Sequence, residues 1–241
     1  MIKKYFNKKI QRLLISKKVM KILYFYHFIT GGFNSKKLEI SFENKKKRSE
    51  IVQKIINIKS YKSYLEIGTF KDDLFKHINC DVKIGVDPVS GGNVRKTSDE
   101  FFLENNQKFD FIFIDGLHHY DQVKKDILNS IKFLNEGGII IMHDCMPRNY
   151  YYQAVPRSQI NWNGDTWKAF LEIRTNRNFD SYCCFADEGL GVILKRKNKH
   201  ILDLNNKNFK NFSFNDYINN FKEYLNLIEY EDLIKIIENY E

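Results

Sequence analysis

The sequence predicts an α/β protein built on a doubly wound, mostly parallel sheet, on three observations. Two short apolar runs, Phe109–Ile114 and Ile139–Met142, have the length and the β-branched or aromatic content of strands buried on both faces. Between them Val123, Ile127, Ile131 and Leu134 recur at helical spacing and Gly137-Gly138 closes that helix, so the three pieces form a parallel βαβ unit. Both runs also stop at polar residues: Asp115 with His118 and His119 after the first, His143 and Asp144 after the second. That places these groups at the carboxyl ends of two strands, the edge where open α/β sheets bind ligands.

The 241 residues divide unevenly in charge. Residues 1–48 hold 14 Lys or Arg against Glu39 and Glu43, a net of +12, which leaves 25 against 28 for residues 49–241, a net of −3. Three segments are therefore expected: a basic helical arm over 1–48, a core over 49–200 and a helical C-terminal appendage over 201–241. The near-neutral body argues against a broad nucleic-acid face.

In chain order, Ile10, Leu13, Leu14, Val19, Ile22, Leu23 and Phe25 alternate with Lys pairs and predict one or two basic amphipathic helices within residues 1–30. Their stripe packs on the protein's own body, lies on anionic lipid as a peripheral membrane contact or docks against an acidic partner. The most apolar stretch, Val19 to Ile29, includes Lys21 and falls short of the ~20 residues that span a bilayer. No small-residue cleavage site follows it, so a secretory signal is not expected. Gly31-Gly32 and the run Lys45 to Arg48 punctuate the chain before the core.

Within the core, Ile51, Val52, Ile55 and Ile56 mark a helix, Tyr64–Ile67 a strand, Leu74–Ile78 part of a helix, Val82–Val86 a strand, and Ser98 to Asn106 a helix. After the central βαβ unit, Cys145 to Asp165 is irregular and rich in Tyr, Trp162, Arg148 and Arg157, with the length of a lid or binding loop. A helix follows at Trp167–Arg174, capped by Asp165 or Thr166, then strands at Tyr182–Phe185 and Gly191–Leu194, and a helical tail from Phe214 to Tyr240 for packing or homo-oligomer formation. Cys80, Cys145, Cys183 and Cys184 show neither metal spacing nor a disulfide framework, which suits a reducing cytoplasm, at the inner face of the membrane if the arm binds lipid.

Two sets of residues carry the chemistry. At the end of the first strand, Glu66-Ile67-Gly68-Thr69 offers a glycine for close backbone approach to a ligand and an acid to hold a cationic or hydroxyl-bearing group. Asp87 ends the second strand where nucleoside-binding folds accept ribose hydroxyls. The other set is Asp115, His118, His143 and Asp144. A hydroxyl is a poor nucleophile at neutral pH, and a histidine that takes its proton, or a divalent cation held by carboxylates, answers that need.

The ordered motifs Glu66-Ile-Gly68, Gly85-Val-Asp87, Phe109-Asp-Phe-Ile-Phe-Ile-Asp115-Gly and Glu136-Gly-Gly-Ile-Ile-Ile-Met-His143-Asp144 resemble class I S-adenosylmethionine-dependent methyltransferases. More narrowly, they look like a bacterial branch, with an Ile-Asp-Gly-x-His-x-Tyr stretch, that methylates sugars of surface polysaccharides or natural products. The resemblance spans about Tyr61 to Leu194, including Gly164-Asp-Thr-Trp-Lys-Ala-Phe and Gly189-Leu-Gly-Val-Ile. It implies a Rossmann-like, seven-stranded sheet and S-adenosylmethionine as cofactor. By position, Glu66, Gly68 and Thr69 would line the methionine and ribose, Asp87 would bind the ribose hydroxyls, Ser98 or Asp99 would lie near adenine, and Asp115 would close the pocket.

The resemblance also implies that His118 is the base and that Asp115 and Asp144 bind a divalent cation such as Mg2+, with a sugar, nucleotide-sugar or glycan as acceptor. Two positions depart from the pattern: Asp72 stands where a second glycine is common, and His143 where some relatives carry a carboxylate ligand. Two other functions remain. A dinucleotide-dependent oxidoreductase would want Gly-x-Gly-x-x-Gly where the chain has Gly68-Thr-Phe-Lys-Asp-Asp. A non-catalytic binding module would use the basic arm alone.

Overall fold

The computed structural model describes residues 16–204 and 208–241. The expected arm residues Ile10, Leu13 and Leu14 lie outside the described residues. Seven strands make one sheet: β1 (Ser63–Ile67), β2 (Val82–Val86), β3 (Phe109–Ile114), β4 (Leu134–Met142), β5 (Asp180–Cys184), β6 (Leu190–Leu194) and β7 (Leu227–Ile228), in the order β2-β1-β3-β4-β6-β5-β7. Strands β2, β1, β3 and β4 are parallel, β6 runs antiparallel to both its neighbours, and β7 pairs parallel with β5. This is the Rossmann-like, mostly parallel sheet that the apolar runs and motifs predict.

Successive strand residues point to opposite faces, so continuous apolar runs feed two cores. Phe111, Phe113, Ile139 and Ile141 join Ile51 and Ile55 of α2 (Arg48–Lys59) and Leu233 and Ile237 of α8 (Tyr230–Glu238). Ile112, Ile114, Ile140 and Met142 join the other core. It is completed by α3 (Ser98–Glu104), α4 (Tyr120–Lys132), α6 (Thr166–Arg174) and α7 (Phe214–Leu225), with Trp167 fully buried.

Several boundaries differ from the expectation, each for a visible reason. Helix α4 ends at Lys132, not at Gly137-Gly138, because Phe133 O accepts from Phe109 N and Leu134 pairs with Phe109. The glycines instead lie in β4, where a Cβ on Gly138 would come within 2.9 Å of Asp110 O and Asn135 O. Leu74–Ile78 supplies only a 3-10 turn, Phe75–His77. The C-terminal tail is two helices, since left-handed Asn226 caps α7 and Leu227–Ile228 pair with Cys183–Cys184. The long irregular stretch after β4 keeps its loop character apart from one turn of helix, α5 (Tyr150–Gln153).

Asp165 stands at the N-cap of α6 without a capping bond, while its Oδ1 accepts from Tyr120 N, 2.6 Å away, at the first turn of α4. One carboxylate thus ties the loop to the helix that follows His118. The arm contributes α1 (Lys17–His27), N-capped by Ser16 and continued by a π-turn over Phe28–Gly32. No described helix is long and apolar enough to cross a membrane.

Candidate active site

Strand ends and turn geometry gather the Asp and His residues into one line of contacts. His118 Nε2 lies 3.2 Å from Asp115 Oδ1, and His118 Nδ1 lies 3.1 Å from Asp144 Oδ2 and 3.2 Å from Trp162 O. His143 Nδ1 lies 3.4 Å from both Asp115 Oδ1 and Asp144 Oδ1, and its Nε2 lies 3.2 Å from Asp187 Oδ1. Asp144 turns the chain back with φ 61, a left-handed conformation that Asp tolerates better than most residues. Cys145 N then donates to Gly189 O, which holds the turn against the β5–β6 connection.

Three partners carry no motif and come from elsewhere in the chain. Arg48, the first residue of α2, sets its Nη1 3.0 Å from His143 Nε2 and within 3.7 and 3.9 Å of Asp115 and Asp187. Asp187 Oδ2 accepts the Arg48 backbone amide at 2.7 Å, so the same acid anchors the helix start and faces its side chain. Asn163 Nδ2 donates to Asp144 Oδ1 at 2.6 Å. Asn163 also sits beside Trp162, whose ring stacks on His118 at 5.4 Å between centroids. Gly164 follows with φ 62, and a Cβ there would fall 1.9 Å from His118 O, so only glycine lets the loop lie this close.

The electrostatics follow from this crowding. Burial disfavours the charged forms of both histidines, yet the carboxylates outweigh it, Asp144 and Asp115 in both cases. The pKa of His118 is raised and that of His143 is raised well above its ordinary value. Burial pushes Asp115 upward, but the charge of His143 and the hydrogen bond and charge of His118 bring it down. Glu66, 2% exposed and hydrogen-bonded by Tyr64 Oη, is raised to about 8, first by burial and then by the nearby Asp115 charge.

The residues expected to hold a cofactor fall into two further groups. Gly68 has φ 89, donates to Val86 O, and would bring a Cβ within 2.1 Å of Asp115 O, so the first-strand turn rests directly on the end of β3. Asp87 Oδ1 accepts from Val89 N and Ser90 N and its Oδ2 from Phe70 N, which binds the two turns together beside buried Thr69. Asp72, in the place of a second glycine, keeps a left-handed φ of 63 and accepts from Gly92 N at 2.6 Å. The side chain thus serves as a tie between the same turns. Ser98 and Asp99 both accept from Gln122 Nε2, at 3.2 and 3.0 Å, and the same nitrogen donates to the buried Asp126 at 3.0 Å.

Two carboxylates and an imidazole, Asp115, Asp144 and His118, offer ligand atoms within 4.8 Å of one another, close enough for one metal ion. The remaining candidates are otherwise employed. His119 lies edge-on to Trp162 at 5.7 Å. Cys145, Cys183 and Cys184 are buried, and burial raises the thiol pKa of each. Arg148 reaches Tyr152 and Glu188, and Arg157 reaches the carbonyls of Gln159 and Ile160 and the face of Trp162.

Residues 43–145, less than half of the chain, match a family model described as a methyltransferase domain. That stretch holds Arg48, Glu66, Gly68, Asp87, Asp115, His118, His143 and Asp144. Among solved structures, the chain is similar to a Klebsiella pneumoniae protein described as an O-methyltransferase, at 13% identity and TM-score 0.49 over 79% of this chain and 95% of that one. It is similar also to an O-methyltransferase from Bacillus cereus solved with SAH, at 13% identity and TM-score 0.47 over 81% of this chain and all of that one. The comparison with curated proteins finds no match.

Proposed function

We propose that this chain transfers the methyl group of S-adenosylmethionine to a hydroxyl of a sugar or surface-glycan precursor, with His118 as general base. The observation that carries the reading is the placement of His118. Its ring is held by Asp144 and the Trp162 carbonyl on Nδ1 and faces Asp115 through Nε2, at the carboxyl edge of β3 and β4. The methyltransferase-domain match over residues 43–145 supports the reaction class. In this reading residues 49–200 form the catalytic core, with the arm and the C-terminal helices attached to it.

The donor set fits the cofactor by its chemistry. Asp115, Asp144 and Asp187 place carboxylates at the sheet edge, partnered by Arg48, His118 and His143, while Glu66, its pKa raised to about 8 by burial, offers a protonated carboxyl to a polar group of the cofactor. The turns at Gly68 and Asp87 present backbone and carboxylate to its polar groups. When bound, the cofactor supplies an electrophilic methyl. Asp144 holds Nδ1–H and so fixes Nε2 as the proton-accepting nitrogen. In the structure Nε2 faces Asp115 at 3.2 Å, so the ring must first release its Nε2 proton and the acceptor hydroxyl must take that carboxylate's place; the neutral ring then accepts the hydroxyl proton as the oxygen takes the methyl. The stacked Trp162 and the loop carrying it shield this nitrogen and offer an aromatic face to a sugar ring. Asp115 and Asp144 would supply the oxygens for a divalent cation, which would lower the hydroxyl pKa and orient it.

A transfer assay with labelled S-adenosylmethionine against nucleotide sugars and extracted surface glycans, scored by product mass, tests the reading. His118→Ala should lower turnover by about 10²–10⁴ while S-adenosylhomocysteine still binds. Full turnover in that variant with the correct acceptor would remove His118 as the base. Chelation separates the metal from the rest: activity lost and then restored by Mg2+ supports the cation, and indifference to chelator removes it.

A further inference from the structure

Helix α1 carries apolar side chains on two faces, and the body covers only one. On the inward face Tyr24 stacks on Tyr151 with centroids 4.2 Å apart, and His27 is buried with its Nε2 2.7 Å from Pro156 O. Gly31 and Gly32 lie so close to Tyr150 and Tyr151 that a Cβ on either would come within 2.6 Å of those side chains. This face is clamped to the loop that carries Trp162 and Asn163. The outward face runs Ile22, Phe25, Tyr26, Ile29 and Phe33, each between 53% and 68% exposed. The spacing of Ile22, Phe25, Tyr26 and Ile29 sets them on one side of the helix, and Phe33, beyond the kink at Gly31, packs edge-on against Phe28. Single exposed apolar residues are ordinary, but a contiguous row of four marks an interaction surface.

Charge selects the occupant. Lys17, Lys18 and Lys21 are exposed on the same helix, and residues 1–38 contain ten Lys or Arg and no Asp or Glu. A second copy docking here would bring two such arms together. Residues 1–15, with Lys3, Lys4, Lys8, Lys9 and Arg12, would add like charge to like if they covered it. An anionic bilayer surface satisfies both halves of the face: aromatic and aliphatic side chains enter the headgroup boundary while lysines meet lipid phosphates. We propose that the outward face of α1 and its extension docks this protein on an anionic lipid surface. Because the opposite face of the same helix is clamped to the 145–165 loop, docking holds that loop beside the headgroups.

The test is co-sedimentation of the full chain with vesicles of phosphatidylcholine, with and without phosphatidylglycerol. Binding is expected to need phosphatidylglycerol and to weaken with salt. Phe25→Ser with Ile29→Ser should weaken it by about tenfold or more, and Lys17→Gln, Lys18→Gln and Lys21→Gln by roughly fivefold each. All five side chains are exposed, so unchanged thermal melts are expected and separate lost docking from lost fold. Three results would overturn the proposal. The wild type fails to bind mixed vesicles; Phe25→Ser with Ile29→Ser binds as well as the wild type; or gel filtration shows a dimer that those substitutions dissociate, which would make a second copy the occupant.

Discussion

Replacing Asp126 with Asn should make the protein more stable at pH 8 and nearly leave it unchanged at pH 4. Asp126 lies on α4, 1% exposed, with a hydrogen bond from Gln122 and its Oδ2 near the Gly116 backbone. Burial raises its pKa from 3.8 to about 6, although bonds from Ser98 and Gln122 work the other way. A carboxyl whose folded pKa is raised binds more protons in the folded state than in the unfolded one between those two values. Stability therefore falls as pH rises through that window and stays low above it. At about 1.36 kcal/mol per pH unit the cost is on the order of 3 kcal/mol, roughly half of it present at pH 5. Asparagine keeps the oxygen that Gln122 donates to and carries no charge to desolvate. For a chain of this size the gain corresponds to a rise in Tm of about 6–12 °C at pH 8. Calorimetric melts of both proteins at pH 4, 5, 6, 7 and 8 measure it. A difference in Tm that does not grow with pH, or a variant less stable at pH 8, would refute the argument. Asp126 shares Gln122 with Ser98 and Asp99, so the variant should also bind S-adenosylhomocysteine differently if those two lie near adenine.

The other predictions concern the site and the thiols. If His118 is the base, kcat/KM should rise with pH through an apparent pKa above the ordinary histidine value, because Asp144 and Asp115 raise it and only the neutral ring accepts a proton; a pH–rate profile checks this, and an inflection below that value would contradict it. Gly164→Ala places a methyl 1.9 Å from His118 O at φ 62, so the loop must retreat by an ångström or more. It should cost about 10² in turnover and about 1–2 kcal/mol of stability, read from steady-state rates and denaturant melts. Native labelling with a thiol reagent should modify Cys80 first and leave Cys145, Cys183 and Cys184 untouched until unfolding, since only Cys80 is partly exposed.

The sheet was largely legible because its central strands are buried on both faces and bounded by polar residues. Tyr64–Ile67 and Phe109–Ile114 need no knowledge beyond their own side chains. Legibility fails where a partner distant in sequence decides. Leu134 and Glu136 look like the end of a helix until Phe109 pairs with Leu134. Leu227 and Ile228 look like one more helical turn until Cys183 and Cys184 claim them. In each case the local pattern is permissive, and a strand edge makes the choice.

The site divides along the same line. Asp115, His118, His143 and Asp144 were readable because the residue that ends a buried parallel strand reaches the ligand edge whatever the rest of the fold does. Arg48 and Asp187 were not, since the first looks like the end of a lysine run and the second like a turn residue. Their meeting depends on Asp187 accepting the first amide of α2, a contact 139 positions apart. Yet without Arg48 the edge would crowd Glu66, Asp115, Asp144 and Asp187 around two imidazoles. The guanidinium, whose pKa those acids raise against burial, is what lets three carboxylates converge beside the protonated Glu66 in a folded chain.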